Sequence, residues 1–161
     1  GSNRPRKFRV GRVVDGTSGQ EEAFAAIAPF VECVSTGGSA CIFAYGATGS
    51  GKTYTMQGGL AEDGATYVPG LAHHALRRLI EGPGGGSVCI TMFEVYCEQL
   101  RDLLGGCRAN VDGGAPPNVQ CSKRDAQGRM VLDSTRCTVN TFAEAEDLLV
   151  RGYGARAAGG T

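Results

Sequence analysis

Apolar positions along this chain form short runs of contrasting period, separated by clusters of glycine. Phe8, Val10, Val13 and Val14 alternate with arginines and predict an edge strand with one solvated face. Ser18-Gly19-Gln20-Glu21 has the form of a capping box, in which a hydroxyl and a carboxylate satisfy the free amides of a helix start. Phe24, Ile27, Val31 and Val34 then recur at helical spacing, predicting a helix to about Val34 that bends at Pro29 and is closed by Gly37-Gly38. Residues 40–45 are apolar throughout and run into Gly46, the pattern of a fully buried strand. A glycine loop follows over residues 46–51.

Beyond the loop, the spacing predicts a helix over residues 69–80 that starts on Pro69 and turns Leu71, His74 or Ala75, and Leu79 inward. Adjacent His73 and His74 fall on different sides of that helix, which makes them poor joint ligands. Residues 82–86 are a glycine break, residues 88–96 an apolar strand, and residues 98–104 a short helix. Residues 105–117 are the least ordered stretch by composition. Residues 119–139 alternate as two or three short strands around the turn Asp125-Ala126-Gln127-Gly128. Thr141-Phe142-Ala143-Glu144 is a second capping box, opening a helix with Ala145, Leu148 and Leu149 inward. Strand, glycine loop, helix, strand and helix in this order predict an α/β fold, a mostly parallel central sheet flanked by helices, in one domain over residues 1–161.

Composition narrows the function. The chain has 161 residues, 42% of them hydrophobic and 20% charged, which excludes a disordered tail. Sixteen basic and sixteen acidic residues give zero formal charge, against a general nucleic-acid or membrane-surface binder. The basic run Arg4, Arg6, Lys7, Arg9 and Arg12 is read as the solvated side of the first strand rather than a nucleic-acid arm. No apolar run approaches the roughly 20 residues of a membrane helix, so membrane insertion is not expected. Seven cysteines, an odd number with no C-x-x-C pair, imply a reduced, cytosolic setting and show no zinc-ligand spacing.

The chemistry lies in Gly46-Ala47-Thr48-Gly49-Ser50-Gly51-Lys52-Thr53, which matches G-x-x-x-x-G-K-[ST]. Glycines let the backbone amides close around anionic phosphates. Lys52 supplies a cation for the β and γ oxygens at a helix start, and the Thr53 hydroxyl suits Mg²⁺, which takes few protein ligands. On pattern alone, Glu94 at the end of an apolar strand is a candidate metal-side carboxylate of a small phosphate-loop ATPase or kinase.

The run from Ala40 through Gly46 to Met56 resembles the kinesin motor domain, whose members carry A-Y-G-x-T-G-x-G-K-T-x-T-M. Ser18-Gly19-Gln20-Glu21-Glu22-Ala23-Phe24 resembles that family's S-Q-E-x-V-F helix start, Val68-Pro69-Gly70-Leu71 its I-P-R segment in weakened form, and the run from Phe93 to Leu104 its L-E-I-Y-N-E-x-I-R-D-L-L. The resemblance implies a phosphate-loop nucleoside triphosphatase fold of kinesin type, present in part, with ATP and Mg²⁺ as cofactors. It places Gly46, Ala47, Thr48, Gly49, Ser50, Gly51, Lys52 and Thr53 on the phosphates, Thr53 on Mg²⁺, and Tyr54 beside the adenine. Read from the residues alone, Tyr54 equally suits a core position in the first helical turn. The resemblance also turns Lys123, Arg124 and Arg129 toward the microtubule, although three basic residues on a hairpin also suit a plain solvated turn.

The implied function is a microtubule motor of the cytoplasmic cytoskeleton, with dimerisation left to regions outside this segment. The family's N-x-x-S-S-R-S-H and D-L-A-G-x-E segments, which position the attacking water and help hold the metal, do not occur in these residues. The expectation is therefore a nucleotide cradle with no catalytic residue of its own. A non-catalytic relative that binds nucleotide or microtubules is the alternative from a different class.

Overall fold

The computed structural model of the chain describes residues 7–96, 98–105, 123–124, 126–128, 130–131 and 134–158, in two units, Gly1–Arg78 and Leu79–Thr161.

In the first unit, α1 spans Gln20–Ser35 and continues through Pro29. Its start differs from the capping-box expectation: Gly19 is the N-cap and no side chain caps the helix. Ser18 is drawn instead into a turn in which its amide donates to the Asp15 carbonyl, while the Asp15 carboxylate accepts from the Thr17 amide and hydroxyl. The other end follows expectation. Gly37 adopts φ +89°, its amide donates to the Val34 carbonyl, and the Gly38 amide donates to the Cys33 carbonyl. That pair of bonds is the Schellman closure, and only glycine takes the left-handed position without strain. Val31 is buried on the predicted face, Phe24 and Ile27 are half-buried, and Val34 is exposed.

Two predicted strands of this unit do not form. Phe8, Val10 and Val13 are exposed and unpaired, and residues 40–45 run without a strand partner, Phe43 79% and Tyr45 95% exposed. An apolar run becomes a buried strand only where neighbouring strands take its backbone bonds and cover its faces, and the described residues supply none. After the glycine loop comes α2, Lys52–Gln57. It leads directly into a hairpin absent from the sequence reading, β1 (Gly58–Leu60) paired antiparallel with β2 (Tyr67–Pro69). Asp63 shapes its turn, accepting from the amides of Ala65 and Thr66 and the Thr66 hydroxyl. Pro69 thus ends a strand, and α3 begins two residues later, at Leu71–Glu81. Leu71 and His73 are its buried residues in this unit, whereas His74 and Ala75 are half-buried.

In the second unit the predicted strand over residues 88–96 is two strands. β3 (Val88–Ile90) pairs with β8 (Cys137–Val139), and β4 (Phe93–Tyr96) pairs with β5 (Gln99–Asp102). β5 replaces the helix predicted over residues 98–104. Cross-strand pairing of Phe93 with Asp102 through Tyr96 with Gln99 wins over local helix propensity, with Glu98 at the tight turn in the left-handed region, φ 63°. Buried Asp102 ties this hairpin to the chain entering β8, accepting from the Leu104 amide at 2.9 Å and the Thr135 amide at 2.5 Å. β6 (Lys123–Arg124) and β7 (Met130–Val131) pair around the turn at residues 126–128, as the alternation predicts. Residues 106–117 lie outside the described residues.

α4, Phe142–Ala158, opens on the predicted capping box. Glu144 Oε2 accepts from the Asn140 and Thr141 amides, and the Glu144 amide donates to Thr141 Oγ1. Ala145, Leu148 and Leu149 are buried with Leu103, Leu104, Ile90, Val139 and Phe142, the core of this unit. Each large apolar side chain so buried stabilises by roughly 1.5–3 kcal/mol. Gly152 lets this helix approach Met92, whose thioether would lie 2.6 Å from an added Cβ. Every strand pair among the described residues is antiparallel and two-stranded, so the expected parallel central sheet is not what these residues build.

Candidate phosphate-binding site

Gly46 to Thr53 form a loop that turns through two left-handed glycines, Gly49 at φ +79° and Gly51 at φ +87°. An L side chain at either would be strained, so the sequence folds this way because glycine stands there. The Ser50 amide donates to the Ala47 carbonyl at 3.2 Å, and the Thr55 amide donates to the Gly51 carbonyl at 2.8 Å. Gly51 is the N-cap of α2 and brings no side-chain cap to the first amides of the helix.

Lys52 closes the loop. Its Nζ donates to the Gly46 carbonyl at 3.0 Å and to the Ala47 carbonyl at 2.7 Å, so the loop wraps around the ammonium. An ammonium has three donors, and two bonds here leave one for a ligand. Gly46 lies close to the Ser50 side chain, where an added Cβ would lie 2.6 Å from Oγ and the hydroxyl would have to turn aside. Thr53 is exposed at the first turn of α2. One cation, uncapped helix-start amides and a hard hydroxyl oxygen fit a polyphosphate with Mg²⁺.

Tyr54 follows on the same turn, 45% exposed, with its ring against the Gly59 backbone, where an added Cβ would lie 3.2 Å from Cδ2. The ring is therefore a partly open surface beside the loop rather than a core side chain.

α2 is gripped by three neighbours, two at its C-terminal residue and one at its first turn. The Gln57 carbonyl accepts from the Gly70 amide at 3.2 Å and the Tyr67 hydroxyl at 2.6 Å, and Gln20 Nε2 donates to the Tyr54 carbonyl at 2.7 Å. Gly58 and Gly70 pass so closely that a Cβ on Gly70 would lie 2.6 Å from the Gln57 carbonyl carbon. Beneath them, the His73 ring meets Tyr67 edge-on at 5.6 Å and His74 stacks on Phe24 at 5.3 Å. The two histidines diverge as their helical positions require. This support was missed in the sequence; the paired glycines at 58–59 and 70 were its only local sign.

The remaining candidates belong to the second unit. Glu94 faces Arg101 at 3.5 Å and Arg156 at 4.0 Å, and the Arg101 guanidinium sits 4.9 Å from the Tyr96 ring centroid. Glu94 is thus a half-buried carboxylate facing two guanidinium groups. Lys123 and Arg124 lie on β6, and Arg129 lies outside the described residues. Among the described residues, no group of three or more His, Cys, Asp or Glu could hold a metal ion, and no helix is long and apolar enough to cross a membrane.

A family model, the kinesin motor domain, matches residues 1–161. Kinesin-like protein KIN-14Q of Oryza sativa subsp. japonica is 34% identical over 164 residues, covering 97% of this chain and 16% of that protein. Kinesin-like protein KIN-14O of Arabidopsis thaliana is 42% identical over 113 residues, covering 66% of this chain and 10% of that protein. Among solved structures, a fast kinesin superposes with TM-score 0.73 at 26% identity, covering 96% of this chain and 43% of that one. KIF14, solved as a two-heads-bound dimer with AMP-PNP on a microtubule, superposes with TM-score 0.71 at 26% identity, covering 88% and 39%. The chain thus spans a small part of the curated relatives and about two-fifths of the solved motor chains.

Proposed function

Because the chain belongs to the kinesin motor domain family, we propose that it is the nucleotide-binding part of a microtubule motor that couples ATP hydrolysis to movement. In this reading residues 1–161 are one part of a single motor domain. Gly46, Ala47, Thr48, Gly49, Ser50, Gly51 and Lys52 hold the phosphates, Thr53 holds Mg²⁺, and the exposed ring of Tyr54 lies beside the adenine. Residues 40–45, extended and unpaired here, take their place in the mostly parallel central sheet of the intact fold. The protein works on microtubules of the cytoplasmic cytoskeleton, and the hairpin bearing Lys123, Arg124 and Arg129 faces the acidic filament through screened attraction.

The observation that carries the reading is the Lys52 ammonium held by the first two carbonyls of its own loop, at the start of the helix that presents Thr53. A cation held in this way stands at the loop with one N–H left for a phosphate oxygen. The two motifs that position water and support the metal are absent from these residues, so the chain's own part is to bind and orient the nucleotide.

The test is phosphate release from ATP by the intact protein, with and without microtubules. The reading expects release that microtubules accelerate and that Lys52→Ala abolishes. A rate indifferent to both would overturn it.

A further inference from the structure

The phosphate loop is carried by a helix too short to fix its own position. α2 has six residues, and isolated helices below about 12–15 residues are marginal in water, so its placement is set by whatever grips it. Two grips, from Tyr67 and Gly70, act at its far end on Gln57. A third comes from a different helix and reaches the turn that bears the loop residues. Gln20, the first residue of α1 and only 8% exposed, donates from Nε2 to the Tyr54 carbonyl at 2.7 Å. Tyr54 directly follows Thr53 and stands two residues after Lys52.

Two alternatives for this buried amide fail. It does not cap its own helix, because α1 begins on Gly19 with no side-chain cap. Nor is it needed to satisfy the Tyr54 carbonyl, which already accepts the Gly58 amide at the end of α2. What the bond adds is a fixed distance between α1 and the first turn of α2. Binding constellations lose effectiveness when supporting groups let them drift by about 0.5 Å.

We propose that Gln20 is a positioning residue for the phosphate site: its side-chain amide holds the first turn of α2, and with it the Lys52 ammonium and Thr53 hydroxyl, at the separation a Mg²⁺-nucleotide requires. This rests on the nucleotide reading above. The residue touches no phosphate and acts only through the helix it grips.

The experiment has two readouts on the full chain, taken well below the melting temperature of each variant. Amide hydrogen exchange without nucleotide tests the grip, and MgATP affinity by calorimetry tests its use. Gln20→Leu, which keeps volume and removes the donor, is expected to speed exchange in α2 and leave α4 unchanged. It should weaken MgATP binding about 3- to 10-fold, the effect of one neutral hydrogen bond. Gln20→Asn, which keeps an amide but falls short by one methylene, should act in the same direction and serves if the leucine variant does not fold. Gln20→Glu places a carboxylate against the carbonyl oxygen and should be worse than Leu.

A purely structural residue would lower the melting temperature without altering the affinity of the folded protein. It would also act independently of Lys52, whereas the effect of a positioning residue shrinks once Lys52→Ala has removed one of the two groups it positions. Unchanged exchange in α2, unchanged affinity, or full additivity with Lys52→Ala would each overturn the proposal while leaving the nucleotide reading intact. Failure of the unaltered chain to bind MgATP would overturn both, whatever the exchange shows.

Discussion

Gly58 joins the phosphate-loop helix to its supporting hairpin, and its replacement by alanine gives the sharpest stability prediction. Its backbone sits at φ 95° and ψ −167°, a region essentially reserved for glycine, where a side chain costs roughly 1–3 kcal/mol. The added Cβ would overlap the Val68 carbonyl oxygen and lie 2.7 Å from the Gly70 nitrogen. Both are backbone atoms that cannot rotate away, and overpacking of this kind costs roughly 1–3 kcal/mol more. Gly58→Ala should therefore destabilise by roughly 2–6 kcal/mol, a large share of the 5–15 kcal/mol typical of a folded domain. Two controls separate the contributions. Gly37 has φ +89° but nothing within 4 Å of an added Cβ, so Gly37→Ala should show strain alone, about 1–2 kcal/mol. Gly16 has neither feature, and Gly16→Ala should stay within about 0.5 kcal/mol of the parent. Urea unfolding followed by circular dichroism reads the series as midpoint shifts at constant slope. A Gly58→Ala cost no larger than that of Gly37→Ala would refute the close approach of β1 to β2 on which the support of α2 depends.

Further outcomes follow from other elements. Gly154 lies within α4 with open space around it, so Gly154→Ala should stabilise by roughly 0.5–1 kcal/mol in the same assay. Hydrogen bonds from Thr66 and Ala65 hold the Asp63 carboxyl at about 2, and those from Asn140 and Thr141 hold Glu144 below its usual range. Both values lie below those of the unfolded chain, so their contribution is complete above the ordinary carboxylate range. It is lost as pH falls toward the folded values, and Asp63→Asn should flatten the fall of melting temperature between about pH 4 and 2. Lys123→Ala with Arg124→Ala should reduce co-sedimentation of the protein with microtubules at low salt and matter less at high salt, the behaviour of screened charges.

What could be read from the chain alone was what the chain decides locally. The glycine turn from Gly46 to Lys52, the Gly37-Gly38 stop, the Thr141–Glu144 box and the inward face of α4 each depend on residues within about seven positions, and each is present. The errors lie mostly where pairing with other strands decides, the uncapped start of α1 being a local exception. Leu100, Leu103 and Leu104 fit helical spacing, yet antiparallel pairing of Phe93–Tyr96 makes Gln99–Asp102 a strand. Residues 40–45 have every local mark of a buried strand, but burial depends on neighbours that the sequence pattern cannot supply. The β1–β2 hairpin escaped notice because three-residue strands containing Gly58, Gly59 and Pro69 carry little strand signal. Gln20 was hidden for a different reason. Its neighbours mimic a capping box, whereas its own side chain reaches 34 residues along the chain to Tyr54.

The central claim is that the loop from Gly46 to Thr53 binds MgATP through the ammonium that its first two carbonyls hold. Calorimetric titration of MgATP into the chain and into its Lys52→Ala variant tests this directly. The account predicts saturable binding by the parent and a loss of roughly 1.5–3 kcal/mol in the variant, about 10- to 150-fold in affinity. Equal affinity in the two proteins, or no binding by the parent, would contradict it.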